Sequence, residues 1–145
     1  MKKIIYSPGE PSGIGPDLII KLSSSNLWED LKIPIVSIGD PKLFIDRAAL
    51  LKKKIKIIEL ESLNQVSKNC KGLIQIIKVT KCSNTRPGKL YKSNAQYVLD
   101  NLTYSIKQTM QNEGTALVTG PLSKENIISI DKLFTGHTEY IKKIT

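Results

Sequence analysis

Residues 3–17 read Lys-Ile-Ile-Tyr-Ser-Pro-Gly-Glu-Pro-Ser-Gly-Ile-Gly-Pro-Asp, and this stretch decides the fold class. Residues 3 to 7 form an apolar, β-branched run of strand length, and Pro8-Gly9 ends it. A glycine- and proline-rich loop runs from Pro8 to Pro16, and Asp17 opens a helix carrying Leu18, Ile19, Ile20 and Leu22. Proline at the first turn and an early acid both suit a helix start. A strand, a glycine loop and a helix in that order make the first half of a βαβ unit.

The same alternation continues outward. Residues 33 to 38 predict a second strand, closed by Gly39, and Asp40-Pro41 caps a helix bearing Leu43, Phe44, Ala48 and Leu51. Residues 55 to 60 and 73 to 79 are further strand-like runs, and 80 to 92 is polar and reads as a long loop. Ser93 and Gln96 have capping-box spacing. Ala95, Val98, Leu99, Leu102, Ile106 and Met110 then recur at helical spacing, and Gly114 is placed to stop the helix in a left-handed conformation. Residues 115 to 119 predict a short strand and 124 to 128 a short helix, while 134 to 138 read as a loop before a last helix from Glu139. The expectation is a layered α/β domain with a mostly parallel sheet and flanking helices.

Composition narrows the function classes. The 145 residues carry a net charge of +9, from 22 Lys and Arg against 13 Asp and Glu. The basic residues are scattered lysines, with arginine only at 47 and 86, so no basic face marks a nucleic-acid binder. A cationic surface does favour anionic ligands such as phosphates. No run reaches the roughly 20 apolar residues that span a bilayer, and the opening residues read as a strand rather than a signal peptide. A cytoplasmic location without membrane or nucleic-acid partners is therefore expected. Cys70 and Cys82, twelve positions apart, form neither a CxxC pair nor a disulfide framework, and reduced thiols are expected.

Three segments hold residues suited to chemistry. The loop from Gly9 to Gly15 joins a strand to a helix, where backbone N–H groups and the helix dipole can face an anion. A tight turn explains the same residues, and neither G-x-G-x-x-G nor a P-loop is present. Thr119-Gly-Pro-Leu-Ser-Lys124 follows a predicted parallel strand, the usual position of ligand-binding groups in α/β proteins. Lys124 there can neutralise a phosphate or carboxylate, or simply face solvent. Phe134-Thr-Gly-His-Thr-Glu139 holds His137, the only histidine, in a polar setting that suits phosphate or carboxylate binding, acid–base work or a structural role. One His and no ligand-spaced cluster leave no metal site to be assembled from this chain.

In combination the three segments resemble the 4-hydroxythreonine-4-phosphate dehydrogenase family. Asp40-Pro-Lys-Leu-Phe-Ile-Asp-Arg-Ala-Ala49 matches that family's second helix, and Pro87-Gly-Lys-Leu90 precedes the long helix as it does there. The resemblance runs from residue 3 to about 140. It implies a fold like that of isopropylmalate and isocitrate dehydrogenases, with two α/β domains around a cleft, in a homodimer. It implies NAD or NADP and a divalent metal (Zn, Mg or Co). The reaction implied is oxidation of the 3-hydroxyl of 4-phosphooxy-L-threonine, then loss of carbon dioxide to give 3-amino-2-oxopropyl phosphate on the route to pyridoxal phosphate.

By the same resemblance, His137 and Thr138 match the substrate-binding His-Thr pair, and Lys124 is assigned contact with substrate or cofactor. The catalytic and cofactor-binding residues are not identified, and residues 1–145 correspond to the N-terminal portion of the family fold. Family members are longer. Their three metal-binding histidines and most phosphate-binding residues fall beyond the matched region. The 145-residue chain alone is therefore expected to be an inactive fragment with uncovered strand edges. Alternatives are a paralogue acting on another 4-phosphorylated hydroxy acid, such as a phosphorylated threonate or erythronate, and a non-catalytic chain that pairs with a complementary one.

Overall fold

The computed structural model of the chain describes residues 1–145. Its centre is a five-stranded sheet in the order β3-β4-β2-β1-β5, with every pair parallel. The strands are β1 (Lys3–Ser7), β2 (Ile35–Ile38), β3 (Lys56–Glu59), β4 (Leu73–Ile77) and β5 (Thr115–Thr119). Six helices accompany them: α1 (Gly15–Ser23), α2 (Leu27–Asp30), α3 (Pro41–Leu50), α4 (Ala95–Gln111), α5 (Lys124–Ile128) and α6 (His137–Ile144). The layered α/β architecture expected from the alternating pattern is the one observed.

The strand alternation sorts the core into two layers, because successive side chains point to opposite faces. Tyr6, Ile35, Ile74 and Ile76 pack with Ile19 and Ile20 of α1, Trp28 of α2 and Phe44 of α3. Ile5, Val36, Ile38 and Ile77 face the other way, toward Leu60, Leu63 and Val66, with Tyr104 of α4 against them. The central strands β1 and β2 are buried on both faces, which is why they read as continuous apolar runs. On α4, Val98, Leu99, Leu102 and Ile106 are buried as the stripe predicts, each worth about 1.5–3 kcal/mol of transfer free energy. Met110, at the end of that stripe, is 56% exposed.

Some local expectations are corrected. The Ser93–Gln96 capping box does not form. Lys92–Asn94 makes a 3₁₀ turn, so the N-cap is Asn94 in an αR conformation with no side-chain cap. Ser93 Oγ instead shares a hydrogen bond with Ser83 Oγ, and Gln96 donates to Asp100 one turn on. The glycine loop is shorter than its composition suggests, since α1 begins at Gly15, and α6 begins at His137 rather than Glu139. The second and fourth strands are also shorter than their apolar runs, and α2 carried no clear sequence signal. Asp40 caps α3 as expected, accepting from the Lys42 N–H.

Chain order places the site. Following β1, the chain passes through α1 to β2 on one side, whereas β5 lies on the other side of β1 and is reached through α4. β1 and β5 are thus adjacent strands whose following loops lie side by side at the carboxyl edge of the sheet. That is the topological switch point, where open α/β sheets form a crevice.

Candidate functional site

The glycine loop and the Thr119–Lys124 segment meet at this switch point, backbone against backbone. The Gly120 N–H donates to the Ser7 carbonyl at 2.7 Å and the Glu10 N–H to the Pro121 carbonyl at 2.9 Å. A Cβ on Gly9 would lie 2.1 Å from the Pro121 oxygen, one on Gly15 1.8 Å from the Pro8 oxygen, and one on Gly120 2.2 Å from that same Pro8 oxygen. Gly9 also has φ +82, which disfavours any side chain. These three glycines are therefore used up in chain-to-chain packing. They do not form an open cradle for a pyrophosphate, so the tight-turn reading of the loop fits their geometry better than the anion-cradle reading.

Arg47, which the sequence singled out only as one of two arginines, holds the loop from behind. It is 3% exposed. Nη1 donates to the Gly13 carbonyl at 2.9 Å and to Asp17 Oδ1 at 2.6 Å, and Nη2 donates to the Pro11 carbonyl at 2.6 Å. A planar fork with several donors suits this task, and lysine could not duplicate it. Tyr6 supports the loop's far end, its hydroxyl donating to the Gly15 carbonyl at 2.8 Å. Burial pushes that phenol up to about 12.

The third segment closes on the other two. Gly136, with φ +152 and ψ −179, is the N-cap of α6, a conformation open essentially to glycine alone. It delivers His137 and Thr138 into the first helical turn, where backbone N–H groups lack intrahelical partners and favour an anion. His137 is half-buried beside the Gly120 backbone. Burial lowers its pKa, the nearby Gly120 backbone opposes that, and the Lys124 cation lowers it further. Lys124, the first residue of α5, is exposed and in no ion pair, and a Cβ on Gly136 would lie 3.6 Å from its Nζ. Glu139 Oε2 approaches the same point at 3.5 Å. Thr138, the second residue of α6, is exposed.

Lys124 and His137 are thus brought together at the switch point, with Thr138 exposed next in the chain. A neutral imidazole carries one N–H donor and one acceptor nitrogen, and Lys124 offers a positive charge with the Glu139 carboxylate nearby but in no ion pair with it. The arrangement suits a ligand with an anionic group and a hydroxyl or ammonium donor. A polar cavity of about 160 Å³ lies elsewhere, between α3 and residues 82–87, and contains none of the three. Cys82, on its wall, has a thiol pushed up to about 12 by burial and by the nearby Asp40 and Glu10 carboxylates, with Arg47 opposing.

The metal that the resemblance implies does not fit this donor set. No group of three His, Cys, Asp or Glu side chains lies close enough to hold an ion. Nor does any helix have the length and apolarity to cross a membrane.

Comparison with known proteins places these features in context. A family model described as pyridoxal phosphate biosynthetic protein PdxA matches residues 30–145. The 4-hydroxythreonine-4-phosphate dehydrogenase of Citrobacter koseri is 32% identical over 142 residues, covering 98% of this chain and 42% of the relative. The enzyme of the same name from Methylococcus capsulatus is 35% identical over 143 residues, with 99% and 42% covered. A crystal structure of the Klebsiella pneumoniae 4-hydroxythreonine-4-phosphate dehydrogenase superposes with a TM-score of 0.87 at 24% identity, covering all of this chain and 45% of that one. At that identity the superposition speaks for the fold alone. The chain spans well under half the length of the relatives it matches.

Proposed function

The chain belongs to the pyridoxal phosphate biosynthetic protein PdxA family, and on that premise we propose that it forms the substrate-receiving part of a 4-hydroxythreonine-4-phosphate dehydrogenase. What supports this reading is the closeness of Lys124 to the Gly136–His137 turn at the start of α6, which Thr138 continues. In the complete enzyme the substrate is 4-phosphooxy-L-threonine, and oxidation of its 3-hydroxyl gives a β-keto acid that loses carbon dioxide. The hydride acceptor would be NAD or NADP, and a divalent metal, which this chain's donor set does not hold, would supply Lewis-acid chemistry.

The roles left to this chain are binding and orientation. Lys124 neutralises an anionic group of the substrate. The Thr138 hydroxyl and the first N–H groups of α6 donate to its oxygens, and neutral His137 accepts from a hydroxyl or ammonium group. The glycine loop, clamped by Arg47, forms a rigid wall behind them. The metal and hydride-acceptor sites would draw on residues outside this set.

His137 provides the test because its imidazole gives a single signal. Titrating the purified chain with 4-phosphooxy-L-threonine is expected to shift the His137 imidazole resonances saturably, and Lys124→Met to weaken the binding about tenfold, the loss of roughly one charge-assisted contact. Resonances that stay unmoved at millimolar ligand would rule out this chain as the substrate-receiving part.

A further inference from the structure

Asn126 lies two residues beyond Lys124 on α5, is 4% exposed, and is joined to three segments of chain. Its Nδ2 donates to the Tyr91 carbonyl at 3.0 Å, at the end of the 80–92 loop, and lies 3.4 Å from Glu10 Oε2 in the glycine loop. Its backbone N–H donates to Ser123 Oγ, the cap of α5, at 3.2 Å. Glu10 is equally enclosed, at 5% exposure. Its other carboxylate oxygen accepts from the Ser12 N–H at 3.0 Å, and its own N–H holds Pro121.

A helix of five residues has almost no stability of its own, so its position is set by tertiary contacts. For α5 these are Ile127, 1% exposed in the core, and Asn126. At 3.6 residues per turn, Lys124 projects about 200° around the helix axis from Asn126. Freeing the Asn126 side therefore lets the helix roll, and Lys124 moves with it.

We infer that Asn126 is a positioning residue, which through Glu10 and Tyr91 fixes the Lys124 ammonium against the Gly136–His137 turn. The tether couples the glycine loop, the 80–92 loop and α5, so that the wall of the crevice and its one free cation move as a unit. Its consequence for ligand binding rests on the reading of Lys124 as substrate-facing; the tether itself does not.

The test needs no substrate. Lys124 lowers the His137 pKa and Glu139 is the other charged side chain close to the Gly136 turn, so the His137 midpoint reports where Lys124 sits. The imidazole of the intact chain is titrated by NMR in wild type, Asn126→Ala, Lys124→Met and the double variant. Asn126→Ala exchanges one neutral side chain for another, so it changes no charge directly. The midpoint is expected to rise in Asn126→Ala and in Lys124→Met, and Asn126→Ala is expected to add nothing once Lys124 is gone. An unchanged midpoint in Asn126→Ala, or an equal rise with and without Lys124, overturns the inference. Should Asn126→Ala fail to fold, Glu10→Gln weakens the same tether at its Glu10 end; its direct charge effect appears in both backgrounds, so only the part that depends on Lys124 counts. Because the readout is ligand-free, failure of the tether and failure of the substrate reading register in different experiments.

Discussion

Asp17 Oδ1 and Arg47 Nη1 lie 2.6 Å apart, tying the first turn of α1 to the last turn of α3. The pair is asymmetric: the Arg47 side chain is 3% exposed and that of Asp17 24%. Most of what Arg47 does is therefore done by its bonds to the Pro11 and Gly13 carbonyls, which water cannot easily replace. Arg47→Met is expected to cost on the order of 3 kcal/mol, as for other buried charged partners, and Arg47→Lys most of the same, since one ammonium cannot reach all three acceptors. Asp17→Asn should cost less. Urea denaturation of the three variants orders them, and equal losses for Arg47→Met and Asp17→Asn would show that the ion pair, not the carbonyl clamp, dominates.

The glycines give a second contrast. Gly120→Ala would drive a Cβ to 2.2 Å from a backbone oxygen that cannot move aside, whereas Gly88, at φ +81, has nothing within 4 Å of the added atom. Gly88→Ala is expected to cost about 1 kcal/mol through its backbone conformation alone. Gly120→Ala should cost 3 kcal/mol or more, at or above the upper range for overpacking, and should shift the His137 resonance, because that backbone lies beside the imidazole. Thermal melts and one NMR spectrum of each variant are sufficient.

His137 makes stability depend on pH in a definite direction. Its folded pKa lies below the ordinary 6.5, so in acid the unfolded chain takes up the proton first. Its contribution is fully present above 6.5 and is lost as pH falls through that value toward the folded pKa. His137→Asn should remove this part of the slope, leaving wild type and variant to diverge below pH 6.5 and run parallel above it. Lys124→Met should reduce the slope by raising the folded pKa. Denaturation midpoints measured across that range decide the matter, and a slope of opposite sign would contradict the burial of the imidazole.

Cys82 and Cys70 should differ in reactivity. With its thiol pushed from 9.0 to about 12, Cys82 carries on the order of a thousandfold less thiolate at mild alkaline pH than an unperturbed cysteine. Iodoacetamide at pH 8 is expected to label Cys70 first and Cys82 only as the chain opens, with peptide mass spectrometry following each site. Equal rates would mean that the loop around Cys82 is far more open than its hydrogen bonds to Asp40 and Asn94 imply.

Regular elements with strong patterns were legible from the residues. The apolar runs at Ile4–Ile5 and Val36–Ile38, the Asp40-Pro41 start and the α4 stripe all follow from short-range periodicity and capping chemistry. The Ser93–Gln96 box failed because Ser83 and Asn94, eleven residues apart, offered a competing set of hydrogen bonds that no local rule contains. Arg47, Glu10 and Asn126 escaped notice for a related reason. Each is an ordinary polar residue in its own element, and the partners that give it its role lie 30 to 116 positions away.

The sequence by itself determined the layered α/β class, the three segments suited to chemistry and, through its motifs, the family resemblance, because all of these are written in neighbouring residues. Only the tertiary structure decided that the glycine loop spends its glycines on Pro8 and Pro121 rather than on an open cradle. It alone set His137 against Gly120 and Lys124 against Gly136. The physical reason is the parallel sheet: strands far apart in sequence release their loops at one edge, and the crossing from β1 to β5 fixes which loops face each other there.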